Sequence, residues 1–193
     1  MNAPQKKEPL ITPEFRVSFA HVFRPQPALD PAGKPKYGLT MLFPVGADLS
    51  KLKQAAAWAA TEKWGDKLKD LNFAKRLRSP FRDQGEKEYE GYVKGAIFIN
   101  ATAQQKPGLV DAQVQPIIEE SQFYSGCYAI ANVNFFAYEQ KGNVGIGCGL
   151  NNVQKRRDGE PLGGRMNPEQ VFVPADPSPV AGGAAATAGA LFS

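Results

Sequence analysis

The chain has 193 residues, 42% of them hydrophobic and 10% aromatic, with a formal net charge of +4 and a pI near 9.0. This is enough for one domain with a good core or one domain plus appendages and speaks against a disordered chain, while the basic balance suits a polyanionic partner. One histidine and two separated cysteines starve a structural zinc site or a catalytic triad of parts, and no apolar run is long enough to span a membrane.

The N-terminus, "MNAPQKKEPLITPEF", has no apolar stretch of the kind a signal peptide needs, and residues 1–12 read as a flexible arm. Residues 15–23 alternate, with Phe15, Val17, Phe19, His21 and Phe23 in the core phase and Arg16 and Arg24 opposite, so they read as a strand. His21 in that phase reads as a satisfied histidine near a strand end. "RPQPALDPAGKPK" is a loop. "YGLTMLFP" is a second strand, with Tyr37, Leu39, Met41 and Phe43 in phase.

At residues 48–77 the two-fold alternation is lost and a helical insertion is expected. Asp48 or Ser50 can cap it, and Leu49, Leu52, Ala56, Ala59 and Ala60 form one stripe, with Trp58 on roughly the opposite side. "RSPFRDQGEKEYEG" is polar and irregular; Asp83, Glu86, Glu88 and Glu90 in it read as solvated rather than as a nuclease metal site. "YVKGAIFINATA" is a third strand, with Lys94, Phe98 and Asn100 in one phase as a cation, a ring and an amide. After Pro107-Gly108 come a short strand and an irregular or helical turn.

Residues 128–138 and 143–154 form a hairpin that sets Cys148 opposite a residue near 133–135 and does not join the two sulfurs, which read as free thiols. Ala129, Ala131, Val133, Phe135 and Ala137 are its core face. The other face carries Tyr128, Asn134, Phe136 and Tyr138, rings that can stack on bases and amides that can bond their edges. Gly145, Gly147 and Gly149 share that face. Two roles fit them, tight coiling of a barrel strand and close approach by a ligand, and both can hold at once. Lys155, Arg156 and Arg157 follow, placed to hold phosphates. The spacing of "GNVGIGCG" fails as G-x-G-x-x-G, and no P-loop motif occurs.

The order of elements predicts a mainly β protein, a five-stranded Greek-key barrel over residues 13–173 with inserted helices, and a disordered Pro/Ala/Gly-rich tail over 174–193. The stretch "YSGCYAIANVNFFAYEQKGNVGIGCGLNNVQKRRDGEPLGGR", residues 124–165, resembles the bacteriophage single-stranded DNA-binding protein family with an OB fold. "GKPKYGLTMLFP" at 33–44 and "GAIFINATAQQKPGLVD" at 95–111 match the same family more weakly. The shortage of catalytic and metal-ligating residues reads as a non-enzymatic protein without cofactor or metal, and the resemblance implies a five-stranded barrel that binds single-stranded DNA. Such a protein coats single-stranded DNA with little sequence preference during phage replication or recombination in the bacterial cytoplasm.

From strand phase, the residues expected to carry binding are Lys94, Phe98, Tyr128, Asn134, Phe136, Tyr138, Asn151, Lys155, Arg156, Arg157 and Arg165, with Tyr37 as a further stacking candidate. Loss of Arg156 and Arg157 together is expected to flatten the salt slope by up to roughly two units, at about 0.7 per phosphate. Phage or host replication proteins are candidate partners of the tail, although Asp176 is its only acidic residue, and a homodimer is a candidate assembly. The rival reading is a virion or protein-interaction β-domain without DNA affinity.

Overall fold

The computed structural model describes residues 8–28, 33–140 and 142–163. The long alternating segments become strands, and five of them close on one another. β2 (Phe15–Gln26) pairs with β3 (Lys36–Leu42), and β3 with β5 (Ile97–Ala103), both antiparallel. β5 then pairs in parallel with β8 (Asn143–Arg157) through Ala101↔Cys148 and Thr102↔Gly149. β8 forms the hairpin with β7 (Tyr128–Gln140), and β7 returns to β2 through Phe15↔Ala129 and Arg16↔Tyr128. The ring β2-β3-β5-β8-β7 is a closed five-stranded barrel. Three short strands flank it: β1 (Leu10–Ile11) on β7, β4 (Arg82–Asp83) on β5 and β6 (Gly108–Val110) on β8.

Inside the ring, Phe15, Val17, Met41, Ile99, Ala131, Val133 and Val153 are all but sealed from water. Truncating one of the larger of these to Ala costs about 2–5 kcal/mol, because the lost transfer energy adds to an unfilled cavity. A second small core lies at the far end of the hairpin. There α1 (Ser50–Trp64) sets Ala56, Ala60 and Trp64 against Val144 and Ile146, with Phe135 and Ala137 packed alongside. The helix therefore covers the same phase of β7 that lines the barrel core and leaves the Tyr-Asn-Phe phase uncovered. Asp48 starts α1 by accepting from the Ser50 amide at 3.0 Å and the Ser50 hydroxyl at 2.6 Å. A 3-10 turn (Gly65–Lys69) and α2 (Leu71–Arg76) complete the insertion.

Two strands depart from the alternation read in the sequence. In β2 the register slips between Ser18 and His21, and Phe19 has φ +48°. Phe15 and Val17 stay in the core, Val22 replaces Phe23 there, and Phe19 turns outward at 44% exposure. The third predicted strand starts at Ile97 instead of Tyr92, because Gly95 has φ +83° and Gly91 φ +81°. Both values lie in the left-handed region, where glycine is at no disadvantage and a strand cannot continue.

Candidate nucleic-acid interface

The non-strand segment 84–96 folds over the outside of β3 and β5 as a flap, and one buried amide holds it there. Gln84 donates from Nε2 to the Phe43 and Ile97 carbonyls, each at 2.9 Å, and accepts at Oε1 from the Val93 amide at 2.9 Å. Asp83 adds bonds from the Gly85 and Gly95 amides at 2.6 and 3.2 Å. These side-chain bonds add to the flap's own backbone bonds, Gln84 N–H to Ala96 O, Lys87 N–H to Gln84 O, Tyr92 N–H to Tyr89 O and Ala96 N–H to Val93 O, in satisfying its main chain.

The flap carries Tyr89 and Tyr92 to the sheet, where four rings touch in sequence. Phe19 meets Tyr89 at 5.3 Å, Tyr89 meets Tyr92 at 5.4 Å and Tyr92 meets Phe98 at 5.7 Å, the first two edge-on. The Arg82 guanidinium lies 5.1 Å from the Phe98 ring centre. These residues, with His21, Lys36, Tyr37, Lys87, Asn100 and Thr102, line an open groove of about 540 Å³. At its floor Thr40 donates to Asn100 Oδ1 at 2.7 Å. Burial raises the pKa of the Tyr92 phenol above its ordinary value, and Ser18 and Thr40 hydrogen-bond its hydroxyl.

On the hairpin the predicted outer face forms, and the glycines lie directly across from it. The pairs are Asn134↔Gly149, Phe136↔Gly147 and Tyr138↔Gly145. A Cβ on Gly147 would sit 2.5 Å from the Phe136 ring, one on Gly145 2.5 Å from the Tyr138 hydroxyl, and one on Gly149 2.5 Å from Asn134 Oδ1. The alternating glycines thus make room for the hairpin's own side chains, which lie flat across the neighbouring strand. The two surfaces are continuous by register. His21↔Gly38, Gly38↔Thr102, Thr102↔Gly149 and Gly149↔Asn134 form one transverse row from the groove to the hairpin.

Comparison with known proteins decides the class. The model of the family described as Enterobacter phage Enc34, ssDNA-binding protein, matches residues 8–179. The chain belongs to this family. Protein p50 of Acyrthosiphon pisum secondary endosymbiont phage 1 is 30% identical over 156 residues, covering 77% of this chain and 83% of that protein. Among solved structures, the single-stranded DNA-binding protein from bacteriophage Enc34 in complex with ssDNA superposes with a TM-score of 0.63. Its identity is 21%, over 79% of this chain and 88% of that one. The single-stranded DNA-binding protein gp2.5 of bacteriophage T7 gives 0.58 at 11% identity, covering 91% and 99%. At these identities the structural likeness shows the fold, the OB barrel expected from the sequence.

Within this family member, the residues singled out from strand phase separate into three groups. Tyr37 and Phe98 line the groove, but Phe98 is only 2% exposed, beneath Tyr92 and Arg82, and offers no open ring face. Lys94, read as a strand residue, lies in the turn that Gly95 creates, exposed beside Gly85. Tyr128, Asn134, Phe136 and Tyr138 share the hairpin face, and Phe136 is 44% exposed. Arg165 and the tail lie outside the described residues.

The three consecutive cations do not act alike. Lys155 is turned in, donating to the Gln122 carbonyl and Asp158 at 2.6 Å each and lying over Tyr124. Arg157 lies 3.5 Å from the Tyr128 ring centre and grips Glu14 at 3.2 and 2.8 Å, which raises its pKa. Arg156 is exposed, and among the described residues its guanidinium reaches only Gln154, at 3.4 Å. It and Asn151 are the extra residues of β8 at two register shifts against β7, positions that bend a strand and re-aim a side chain.

The groove residues missed in the sequence are Phe19, Tyr89 and Tyr92. Tyr89 and Tyr92 carried one visible signal, two rings in the otherwise polar "KEYEGY", whereas Phe19 sits in an alternation that the sequence keeps and only the fold breaks. Of the acids in and beside that stretch, Glu86 pairs with Arg82 and Glu90 accepts from the Gly163 amide at 3.0 Å. Among the described residues no three metal-ligating side chains converge, and no helix is long and apolar enough to cross a membrane.

Proposed function

We propose that the chain binds single-stranded DNA in the groove over β2, β3 and β5 and coats it, without catalysis, during phage replication or recombination in the host cytoplasm. The observation that carries this reading is the run of touching rings, Phe19, Tyr89, Tyr92 and Phe98, that lines an open groove beside Lys36, Lys87 and Arg82. Family membership supports the same polymer. Bases stack on the open rings of Phe19, Tyr89 and Tyr37, which recognise any base because every base has a π face. Lys36, Lys87 and Lys94 accompany the phosphates and make the affinity fall with salt. The transverse row then leads the strand toward Asn134, Phe136 and Tyr138, with Asn151 and Arg156 at its rim.

The test is fluorescence anisotropy of a labelled oligo-dT titrated at several salt concentrations, with a duplex competitor. Tight binding that weakens with salt and resists the duplex is expected. Flat curves at low salt overturn the reading. Recruitment of replication proteins through the tail and dimer formation belong to the same proposal; pull-down with a tail-truncated chain and sedimentation test them.

A further inference from the structure

We propose that Arg78, in the segment joining the helical insertion to β4, holds a phosphate of the single strand as it passes from the groove onto the hairpin face. This rests on the reading that the groove holds single-stranded DNA. β5 and β8 pair at Ala101↔Cys148 and Thr102↔Gly149, and toward the start of both strands residues 78–83 lie between them as a wedge. At one end the Arg78 amide donates to the Val144 carbonyl, and its carbonyl accepts from the Ile146 amide, each at 3.0 Å. These bonds set Arg78 beside Gly145 in parallel register. At the other end Arg82 and Asp83 pair with Phe98 and Ile97 of β5. Between the two ends Phe81 packs on Phe135, with ring centres 5.8 Å apart.

The register decides which way the Arg78 side chain leaves the sheet. Residues directly opposite in a ladder project from the same face. A Cβ on Gly145 would lie 2.9 Å from the Arg78 Cβ and 2.5 Å from the Tyr138 hydroxyl. Arg78 and Tyr138 therefore flank, from opposite sides, a strand position that has no side chain. The wedge thus brings two arginines to the outer surface, Arg82 over the Phe98 ring in the groove and Arg78 at the hairpin. Four residues of chain separate them by no more than about 14 Å.

Their states differ. Glu86 pairs with Arg82, and the neighbouring Arg76 donates to the Gly142 carbonyl at 3.2 Å. Arg78 is exposed, and among the described residues no acid, carbonyl or ring engages its guanidinium. A guanidinium is a planar fork of donors that matches two phosphate oxygens at once. Phe136 and Tyr138 reach over the glycines from β7, and the wedge borders the same glycines from the other side. A strand that turns its bases toward those rings turns its backbone toward Arg78. The helical insertion then contributes to binding through the arginine at its exit.

The experiment measures the salt slope of labelled oligo-dT binding for the native chain, Arg78→Ala, Arg78→Lys and Lys53→Ala. Lys53 is an exposed cation of α1 and controls for the loss of one positive charge. Arg78→Ala should lower the slope by up to about 0.7, so its affinity deficit grows about fivefold for each tenfold drop in salt. Arg78→Lys should restore the slope, because counterion release follows charge. Lys53→Ala should leave it unchanged. A native slope in Arg78→Ala, or an equal loss in Lys53→Ala, overturns the inference and leaves the DNA-binding reading standing. So does a slope that Arg78→Lys fails to restore. Absence of oligo-dT binding by the native chain overturns both. Thermal unfolding checks each variant, and the bridge to Gly145 is kept in all of them because Arg78 makes it through its backbone.

Discussion

The groove and the hairpin face are furnished with the same residue types, rings, amides and cations, yet they dispose of them in opposite ways. On the hairpin, Phe136 and Tyr138 lie on glycines of the next strand, while Lys155 and Arg157 are held by Asp158 and Glu14. In the groove, rings from β2 and the flap touch one another around an open space that backbone and buried amide bonds hold apart. A row that reads cleanly from a two-residue period satisfies much of its chemistry within its own hairpin. The open surface is built where the period breaks.

The sharpest way to break this comparison is to strip rings from each surface in turn. Phe19→Ala combined with Tyr89→Ala should weaken oligo-dT binding at least roughly tenfold, since each stacked base is worth about 1–3 kcal/mol. Phe136→Ala combined with Tyr138→Ala should cost less. An equal or larger loss from the hairpin pair in the same titration would move the binding centre there.

Gly147→Ala tests the hairpin from inside. Its Cβ must displace the Phe136 ring, and overpacking of this kind costs about 1–3 kcal/mol in denaturant unfolding. Oligo-dT affinity should change far less than stability.

Cys148, one strand position from those glycines on the core side, reports how well the barrel is sealed. Burial pushes its thiol up to about 12, so the folded chain holds that proton after the unfolded chain has lost its own. More protons bound in the native state means stability falls as pH rises through the unfolded thiol value of about 8.5. Unfolding curves of the native chain and Cys148→Ala should therefore diverge above that pH and run parallel below it. Alkylating reagents should reach the thiol only on unfolding.

The smallest expected effect separates neighbours in the basic run. Arg156→Ala should reduce the salt slope by up to about 0.7, one phosphate contact. Arg157→Ala should change it less, because Glu14 already neutralises that guanidinium. The change expected from treating both as phosphate ligands, about 1.4 at that value per contact, is thus roughly halved.

What could be read in the sequence was local. The hairpin register placed Cys148 opposite a residue near 133–135, and it pairs with Phe135, because a turn and a two-residue period fix partners within a few positions. The stripe Leu52, Ala56, Ala59 and Ala60 on α1 is buried as its 3.6-residue spacing predicts. Phe19 escaped because a single left-handed residue reverses every side chain after it. Tyr89 and Tyr92 escaped because their segment has no period at all. Its position is set by Gln84 reaching the carbonyls of Phe43 and Ile97, contacts that spacing does not encode.

Phe19 also bears on how this lineage can change. An L-residue at φ +48° costs on the order of 1–2 kcal/mol that glycine would recover. Selection for heat resistance alone should therefore favour Phe19→Gly, and the same substitution removes a ring from the groove. If Phe19 stacks on bases as proposed, thermostability and DNA coating pull against each other at this one position.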